Sequence, residues 1–338
     1  MAKRWTVAVV GATGAVGREM LRTLEARRFP IARLVPMASA RSAGTTVPFA
    51  GEALPVVEAT PDAFRGIDVA LFSAGGSTSK ALAPSAAERG ATVVDNSSAF
   101  RMDPEVPLCV PEVNLDAARN PPKGIIANPN CSTIQMVVAL APLHREGRIT
   151  RVVVATYQAI SGGGARAIEA FEAQQRQLAT GEAVAAGRDQ LSGQLAGNLL
   201  MHWPPQPNGY QQEELKMVHE TRKILGDETI RVSPTAVRVP VLSGHSEAIT
   251  VELERPITPE RARALFQEAP GIEVVDDFAE GRYPQPVDCV GKDPVYVGRI
   301  REDVGNPGGL QLWVVSDNLR KGAALNAVQI AEALFPAD

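Results

Sequence analysis

The sequence predicts an α/β chain in two parts: an N-terminal doubly wound parallel sheet, then an α+β domain built on a mixed or antiparallel sheet. Three observations carry this expectation. Through the first ~130 residues, short and continuously apolar runs alternate with helix-like segments, the pattern of strands covered on both faces and joined by crossover helices. From Ile149 onward the strands lengthen and alternate in polarity, as in "IRVSPTAVRVPVLSGHSEAITVELE". A length of 338 residues suits about two domains at roughly 100–200 residues each.

The elements follow in order. "TVAVVGATGAVGREMLRTLEARRFP" reads as a strand from Thr6 to Val10, a glycine turn, and a helix ending near Phe29. Leu34 to Ser39 forms a second strand. "DVALFSAGG" opens another at Asp68, followed by a helix from about Ser77 to Arg89, and "ATVVDNSS" and "GIIANPN" supply two more strands. In the second part, "RVVVATYQAISGGGARAIEAFEAQQRQLATG" reads as a strand, a glycine-rich turn and a helix running one or two turns beyond Glu172. "VGRIREDVGNPGGLQLWVVSDN" reads as a hairpin. Gly181 to Gln212 has few periodic apolar residues and reads as irregular connection, with a short helix around Leu195 to Leu200. The final "DNLRKGAALNAVQIAEALF" carries Leu319, Ala323, Ala327, Ile330 and Leu334 at helical spacing and is expected to return to the first domain. The expected division is therefore 1–130 and 131–318, with a terminal helix over 319–338.

Composition narrows the function. Lys and Arg total 34 against 38 for Asp and Glu, a formal net charge of −4, which leaves no basic footprint for nucleic acid and no polybasic membrane anchor. Three cysteines, Cys109, Cys131 and Cys289, are too few and too scattered for a disulfide framework, and no paired motif marks a metal site. Lys3 and Arg4 before Val7 to Val10 imitate a signal peptide, but Gly11, Gly14 and Gly17 interrupt the apolar run at once. A soluble, cytoplasmic protein is expected, without metal.

"GATGAVG" sets Gly11, Gly14 and Gly17 directly after a strand and at the opening of a helix. Such a turn lets backbone approach a pyrophosphate whose charge the helix N-terminus favours, the arrangement of a Rossmann dinucleotide site. An NAD site places Asp or Glu near the end of the second strand for the ribose hydroxyl. Here the strand runs into "MASARSAG", with Arg41 and Ser42 and no carboxylate, which favours the 2′-phosphate of NADP.

"NPNCSTIQMVVALAPL" places Cys131 where a strand ends and a helix begins. Unpaired amides and the positive end of the helix dipole stabilise a thiolate there, and the same amides suit the oxyanion of a tetrahedral adduct. Cys109, in "VPLCVPEV", and Cys289, in "PVDCVGKD", lack such a junction and read as inert packing. A cysteine nucleophile needs a base. His144 and His219 sit in charged helical contexts and read as surface residues, and His202 falls in the irregular stretch. His245 alone lies between strands, in "LSGHSEA". Arg238 sits on the strand leading to it, Gln158 and Ser161 follow another strand, and "EELKM" puts Glu213 and Lys216 on one helix face. Such a pair is ordinarily a solvated salt bridge, and Arg101 in "NSSAFR" reads as a surface charge or an anion ligand.

Taken together, "VAVVGATGAVG", "ASARSAG", "DVALFSAGGS", "VVDNSSAFR", "VPEVN", "ANPNCSTIQM", "TYQAISGGG", "EELKM", "VRVPVLSGHSE", "VGRIRED" and "LWVVSDNLRKGAALNAVQIAE" resemble one family: aspartate-β-semialdehyde dehydrogenase. They run in family order over nearly the whole chain; Thr180 to Gln212 is unmatched. The resemblance implies a fold like glyceraldehyde-3-phosphate dehydrogenase, with a Rossmann domain and a catalytic domain that forms a homodimer. It implies NADPH-dependent reductive dephosphorylation of L-aspartyl-4-phosphate to aspartate semialdehyde and phosphate, supplying lysine and diaminopimelate, threonine and methionine. Carried onto this chain, Cys131 is the nucleophile that forms a thioester, His245 the general acid/base, and Gln158 the orienting amide. Arg238 binds the substrate carboxylate and Glu213 its amino group; Arg101 and Lys216 bind phosphate, and Asn130 joins the substrate site. Gly11, Thr13, Gly14, Ala15, Val16, Arg41, Ser42, Ser161, Gly162 and Asn318 contact NADP(H). The nearest rival is an N-acetyl-γ-glutamyl-phosphate reductase, against which Glu213 speaks, because an acetamido group needs no carboxylate. A non-catalytic paralogue is the rival of another class.

Overall fold

The computed structural model describes residues 3–184, 193–201 and 203–337. It divides into two compact units, one of residues up to Asn130 together with those from Ala323, the other Cys131–Gly322.

The first unit begins with β1 (Trp5–Val10), α1 (Ala15–Ala26) and β2 (Ile31–Ala38). A small hairpin, β3 (Thr46–Phe49) and β4 (Glu52–Pro55), and a two-residue strand β5 (Val57–Glu58) follow; the sequence pattern had no signal for these, since they are short and half exposed. Next come β6 (Val69–Phe72), α2 (Gly76–Glu88), β7 (Thr92–Asp95), a single turn α3 (Pro111–Asn114) and β8 (Ile125–Ala127). The sheet runs β5-β2-β1-β6-β7-β8 with every pairing parallel, the doubly wound order in which the chain reverses direction beside β1. Val69 to Phe72 are all buried, as the continuous apolar run requires of a strand covered on both faces.

The second unit opens on α4 (Cys131–Gly147), β9 (Ile149–Gln158) and α5 (Ala165–Thr180). It continues with α6 (Gln212–Leu225), β10 (Arg231–Arg238), β11 (His245–Leu253), α7 (Pro259–Glu268), β12 (Ile272–Val274), the short α8 (Pro286–Cys289), β13 (Val295–Glu302) and β14 (Leu310–Ser316). Its sheet order is β10-β9-β11-β14-β13-β12, parallel only at its two outer pairings and antiparallel between them. The alternation along β9 is the two-residue period of a sheet with one face on helices: Val152, Val154, Thr156 and Gln158 are buried, and Tyr157 is exposed.

The expected short helix around Leu195 to Leu200 does not form. Ala196 and Gly197 make a turn, and Leu200 exchanges both backbone hydrogen bonds with Arg238, at 3.0 and 2.8 Å. His202 lies outside the described residues. The terminal helix is also shorter than its apolar spacing suggested. Arg320–Ala324 form a π-helical turn, and α9 (Leu325–Leu334) follows within the first unit. There Ala327, Val328, Ile330 and Ala331 share a core with Val7 and Val9 of β1 and Met20, Leu21 and Leu24 of α1. Among the described residues, no helix is long and apolar enough to cross a membrane.

Candidate active site

In the first unit the glycine turn meets its sterics. Gly11 has φ +86°, and a Cβ there would lie 2.5 Å from the Ser73 carbonyl oxygen. A Cβ on Gly17 would lie 2.1 Å from the Gly11 carbonyl oxygen, so the first turn of α1 closes on the loop only with glycine. Gly14 is the N-cap of α1, and Ala15 and Val16 begin the helix, so their amides stand at its positive end. A cavity of about 490 Å³ opens at this turn, lined among others by Gly11, Thr13, Gly14, Arg41, Ser42 and Ser73. Arg41 is exposed on its rim, with no hydrogen bond or ion pair among the described residues. This cradle of backbone, helix terminus and unpaired guanidinium fits a dinucleotide phosphate. Glu58 lines it too, a carboxylate on the neighbouring strand that the sequence reading did not count.

Arg101 is buried in the same unit. Its Nε donates to the Asn128 carbonyl at 2.9 Å and Nη2 to the Asn96 carbonyl at 3.0 Å. Asn130, also buried, ends this unit immediately before α4.

In the second unit Cys131 is the first residue of α4, so its sulfur sits at a helix N-terminus whose leading amides have no intrahelical partner. Its Sγ lies 3.3 Å from His245 Nε2. His245 opens β11, wholly buried, and its Nδ1 accepts the Ala159 N–H at 2.9 Å. That bond occupies the Nδ1 lone pair and assigns the ring proton to Nε2, facing the sulfur. Burial, and secondarily the Arg238 charge, push His245 down to about 3, with Glu213 opposing. The imidazole at neutral pH is therefore an uncharged donor. A base at Nε2 needs the other tautomer, which the Ala159 amide opposes.

Around this couple the second unit gathers the remaining candidates. Gln158 ends β9, with Nε2 3.5 Å from Glu213 Oε1 and 3.4 Å from Thr156 Oγ1. Glu213 is 4% exposed and holds Lys216 at 2.8 Å, so the pair is not the solvated bridge its spacing allowed. Arg238 ends β10, 5% exposed, and donates from Nη1 to the Ala159 carbonyl at 2.6 Å. No described carboxylate forms an ion pair with it. A Cβ on Gly162 would lie 3.0 Å from Arg238 Nη1 and 3.2 Å from the His245 ring. Ser161 and Asn318 are buried and bonded to each other, with Asn318 Oδ1 also accepting the Gly244 N–H at 2.9 Å.

Three features escaped the sequence reading. Gly322, in the π-helical turn, backs directly on the cysteine: a Cβ there would lie 2.9 Å from Cys131 Cβ. Glu247, two residues beyond His245 on the same strand face, is wholly buried, and neither carboxyl oxygen has a hydrogen-bond partner among the described residues. Burial pushes its carboxyl well above the usual range, the nearby Gln135 amide offsetting part of that. Gln135 itself lies one turn beyond Cys131 and accepts from Ser316 Oγ at 2.7 Å. His144, expected at the surface, is half-buried, its Nδ1 accepting the Ile149 N–H at 3.1 Å; His219 is exposed as expected. Cys109 and Cys289 are both buried, and burial pushes the Cys289 thiol up to about 12, far from a nucleophile's range.

Residues 6–120 match the family model described as semialdehyde dehydrogenase, NAD binding domain, and residues 140–321 match semialdehyde dehydrogenase, dimerisation domain. An aspartate-semialdehyde dehydrogenase of Synechocystis sp. is 53% identical over 97% of this chain and 96% of its own length. The chain belongs to the aspartate-semialdehyde dehydrogenase family. Another member, from Aquifex aeolicus, is 53% identical over 98% of both chains. Solved structures of the family agree in fold. Aspartate semialdehyde dehydrogenase II of Vibrio cholerae, complexed with ASA, superposes with a TM-score of 0.95 at 45% identity, covering 98% of each chain. The Candida albicans enzyme with NADP gives 0.77 at 27% identity, covering 99% of each.

Proposed function

We propose that this chain catalyses the NADPH-dependent reductive dephosphorylation of L-aspartyl-4-phosphate to L-aspartate 4-semialdehyde and phosphate, through a thioester on Cys131. The observation that carries the reading is the 3.3 Å approach of His245 Nε2 to a cysteine sulfur at a helix N-terminus, in a member of this family.

Cys131 attacks the acyl carbon, the carbon–oxygen bond to phosphate breaks, and the acyl group remains on sulfur. The nicotinamide supplies hydride when bound. His245 keeps its proton and gives a hydrogen bond from Nε2–H first to the Cys131 thiolate and then to the oxyanion of the tetrahedral adduct, which the α4 amides also face. The expected general acid/base role thus narrows to that of a neutral donor. When the adduct collapses the carbon–sulfur bond breaks and the thiolate returns. Gln158 orients the acyl group. Arg238, buried and in no ion pair among the described residues, suits the substrate carboxylate, and the Glu213 oxygen beside Gln158 suits its ammonium. Arg101, Lys216 and Asn130 serve the phosphate end of the substrate.

Gly11, Thr13, Gly14, Ala15 and Val16 hold the cofactor pyrophosphate, Arg41 and Ser42 its 2′-phosphate, and Ser161, Gly162 and Asn318 its nicotinamide end. A homodimer fits the family description, with the sheet face that carries Tyr157 and Trp313, ring centroids 5.5 Å apart, as its surface. A cytoplasmic place in lysine, threonine and methionine synthesis fits the substrate. The test is NADPH formation from aspartate semialdehyde and NADP⁺. Sustained turnover is expected only when phosphate is present; a folded protein that shows none defeats the reading, and preference for N-acetylglutamate semialdehyde assigns the rival reductase.

A further inference from the structure

Among the described residues before α6, Trp203 meets the site. The indole ring of Trp203 lies under the Arg238 guanidinium, 4.9 Å from ring centroid to Cζ. Two anchors fix the loop that carries it. Upstream, Leu200 is paired to the Arg238 backbone in both directions. Downstream, the Trp203 N–H donates to Gln211 Oε1 at 3.3 Å, and Gln212 N–H to the Pro204 carbonyl at 2.8 Å. Gln211 is in turn the N-cap of α6, closed by a capping box with Glu214, whose other oxygen accepts the Ala236 N–H of β10 at 2.9 Å. The loop therefore ties the end of β10 to the start of α6, and Trp203 is held from both sides.

Arg238 needs such a neighbour. A buried guanidinium is costly; burial pushes its pKa down, and the Cys131 and Glu213 charges offset only part of that. A carboxylate partner from the chain would stabilise it and also fill the edge a ligand carboxylate requires. An aromatic face stabilises the cation from one side of its plane and leaves that edge open. The Ala159 carbonyl holds Nη1 as well, a second contact on the same guanidinium.

We propose that Trp203 is a positioning residue for substrate recognition: its indole face orients Arg238 so that the remaining N–H donors receive the α-carboxylate of the amino-acid aldehyde. This rests on the reading of Arg238 as the carboxylate ligand, and activity of the unaltered protein on aspartate semialdehyde is established first, so that failure there strikes that reading instead.

The experiment compares Trp203→Leu, Trp203→Phe and the unaltered protein on aspartate semialdehyde and on 3-aminopropanal, which lacks the carboxylate. For Trp203→Leu, the KM for aspartate semialdehyde is expected to rise about tenfold with kcat changed less than about twofold. The KM values for phosphate and NADP⁺, and kcat/KM for 3-aminopropanal, stay within about twofold. Trp203→Phe, which keeps an aromatic face, recovers discrimination to within about threefold of the unaltered protein. Equal losses on both aldehydes, a parallel rise in the phosphate or NADP⁺ KM, or no change at all overturns the proposal. Should Trp203→Leu fail to fold, Trp203→Gln carries the same comparison.

Discussion

The Ala159 N–H donates to His245 Nδ1 at 2.9 Å, and the opposite nitrogen of the same ring faces Cys131 Sγ at 3.3 Å. One backbone amide thus decides which atom of the imidazole carries the proton. Nitrogen-15 NMR of labelled protein is expected to find Nδ1 unprotonated and Nε2 protonated between about pH 5 and 9, with no imidazolium limb in the pH dependence of kcat/KM over that range. His245→Ala is expected to lower kcat about 10²–10³-fold, the loss of one well-placed donor. His245→Gln, with an acceptor and a donor in roughly those places, recovers at least about tenfold of that loss. Two protonated ring nitrogens near neutrality contradict the assignment.

The same ring makes the fold sensitive to acid. Its folded value of about 3 lies below the ordinary 6.5, so as pH falls the unfolded chain takes the proton first. The stability this group contributes is present above 6.5 and drains away between 6.5 and about 3. Urea titrations across that window are expected to fall less steeply for His245→Gln than for the unaltered protein; parallel curves sink the prediction.

Glu247 has the opposite sign. Burial raises its carboxyl well above 4.5, so the folded chain keeps a proton that the unfolded chain releases. Its contribution is full below 4.5 and is lost as pH rises towards the folded value. Glu247→Gln mimics the protonated form, and its stability relative to the unaltered protein is expected to grow with pH from about 4.5 upward. A denaturation midpoint that shifts equally at all pH values contradicts this.

Arg41 stands exposed on the rim of the cavity at the glycine turn, unpaired among the described residues, with Glu58 lining the same space. Arg41→Ala is expected to raise the KM for NADPH about tenfold or more and leave that for NADH nearly unchanged. Glu58→Gln is expected to act the other way on NADPH, since it removes a like charge. Equal effects on both cofactors remove Arg41 from the 2′-phosphate.

Gly322 tests the seating of the nucleophile. A methyl group there would stand 2.9 Å from Cys131 Cβ, so Gly322→Ala displaces the cysteine or the turn. A fall in kcat of about tenfold or more is expected, with cofactor affinity, measured by fluorescence titration, within about twofold. A variant with unaltered kcat contradicts the contact.

The doubly wound sheet was legible because continuously apolar strands, a glycine turn and crossover helices leave local patterns, and the mixed sheet because its strands alternate. Cys131 drew notice from its place between "NPN" and an apolar helix, and Glu213 and Lys216 from a three-residue spacing; the structure puts all three in one unit with His245, Gln158 and Arg238. What was illegible has no local signature. The Ala159 amide acts on a ring 86 positions away, Gly322 touches Cys131 across most of a domain, and Trp203 lies in a segment without periodicity. The terminal helix came out short because apolar spacing cannot distinguish a π-helical turn from an α-helical one.

The thioester is the most direct test. Protein mixed with aspartate semialdehyde and NADP⁺ without phosphate, then quenched and digested, is expected to give about one NADPH per active site and an acyl group on the peptide containing Cys131, which phosphate discharges. Cys131→Ala forms neither. Steady NADPH formation by Cys131→Ala, or an acyl group on any other residue, would contradict the account.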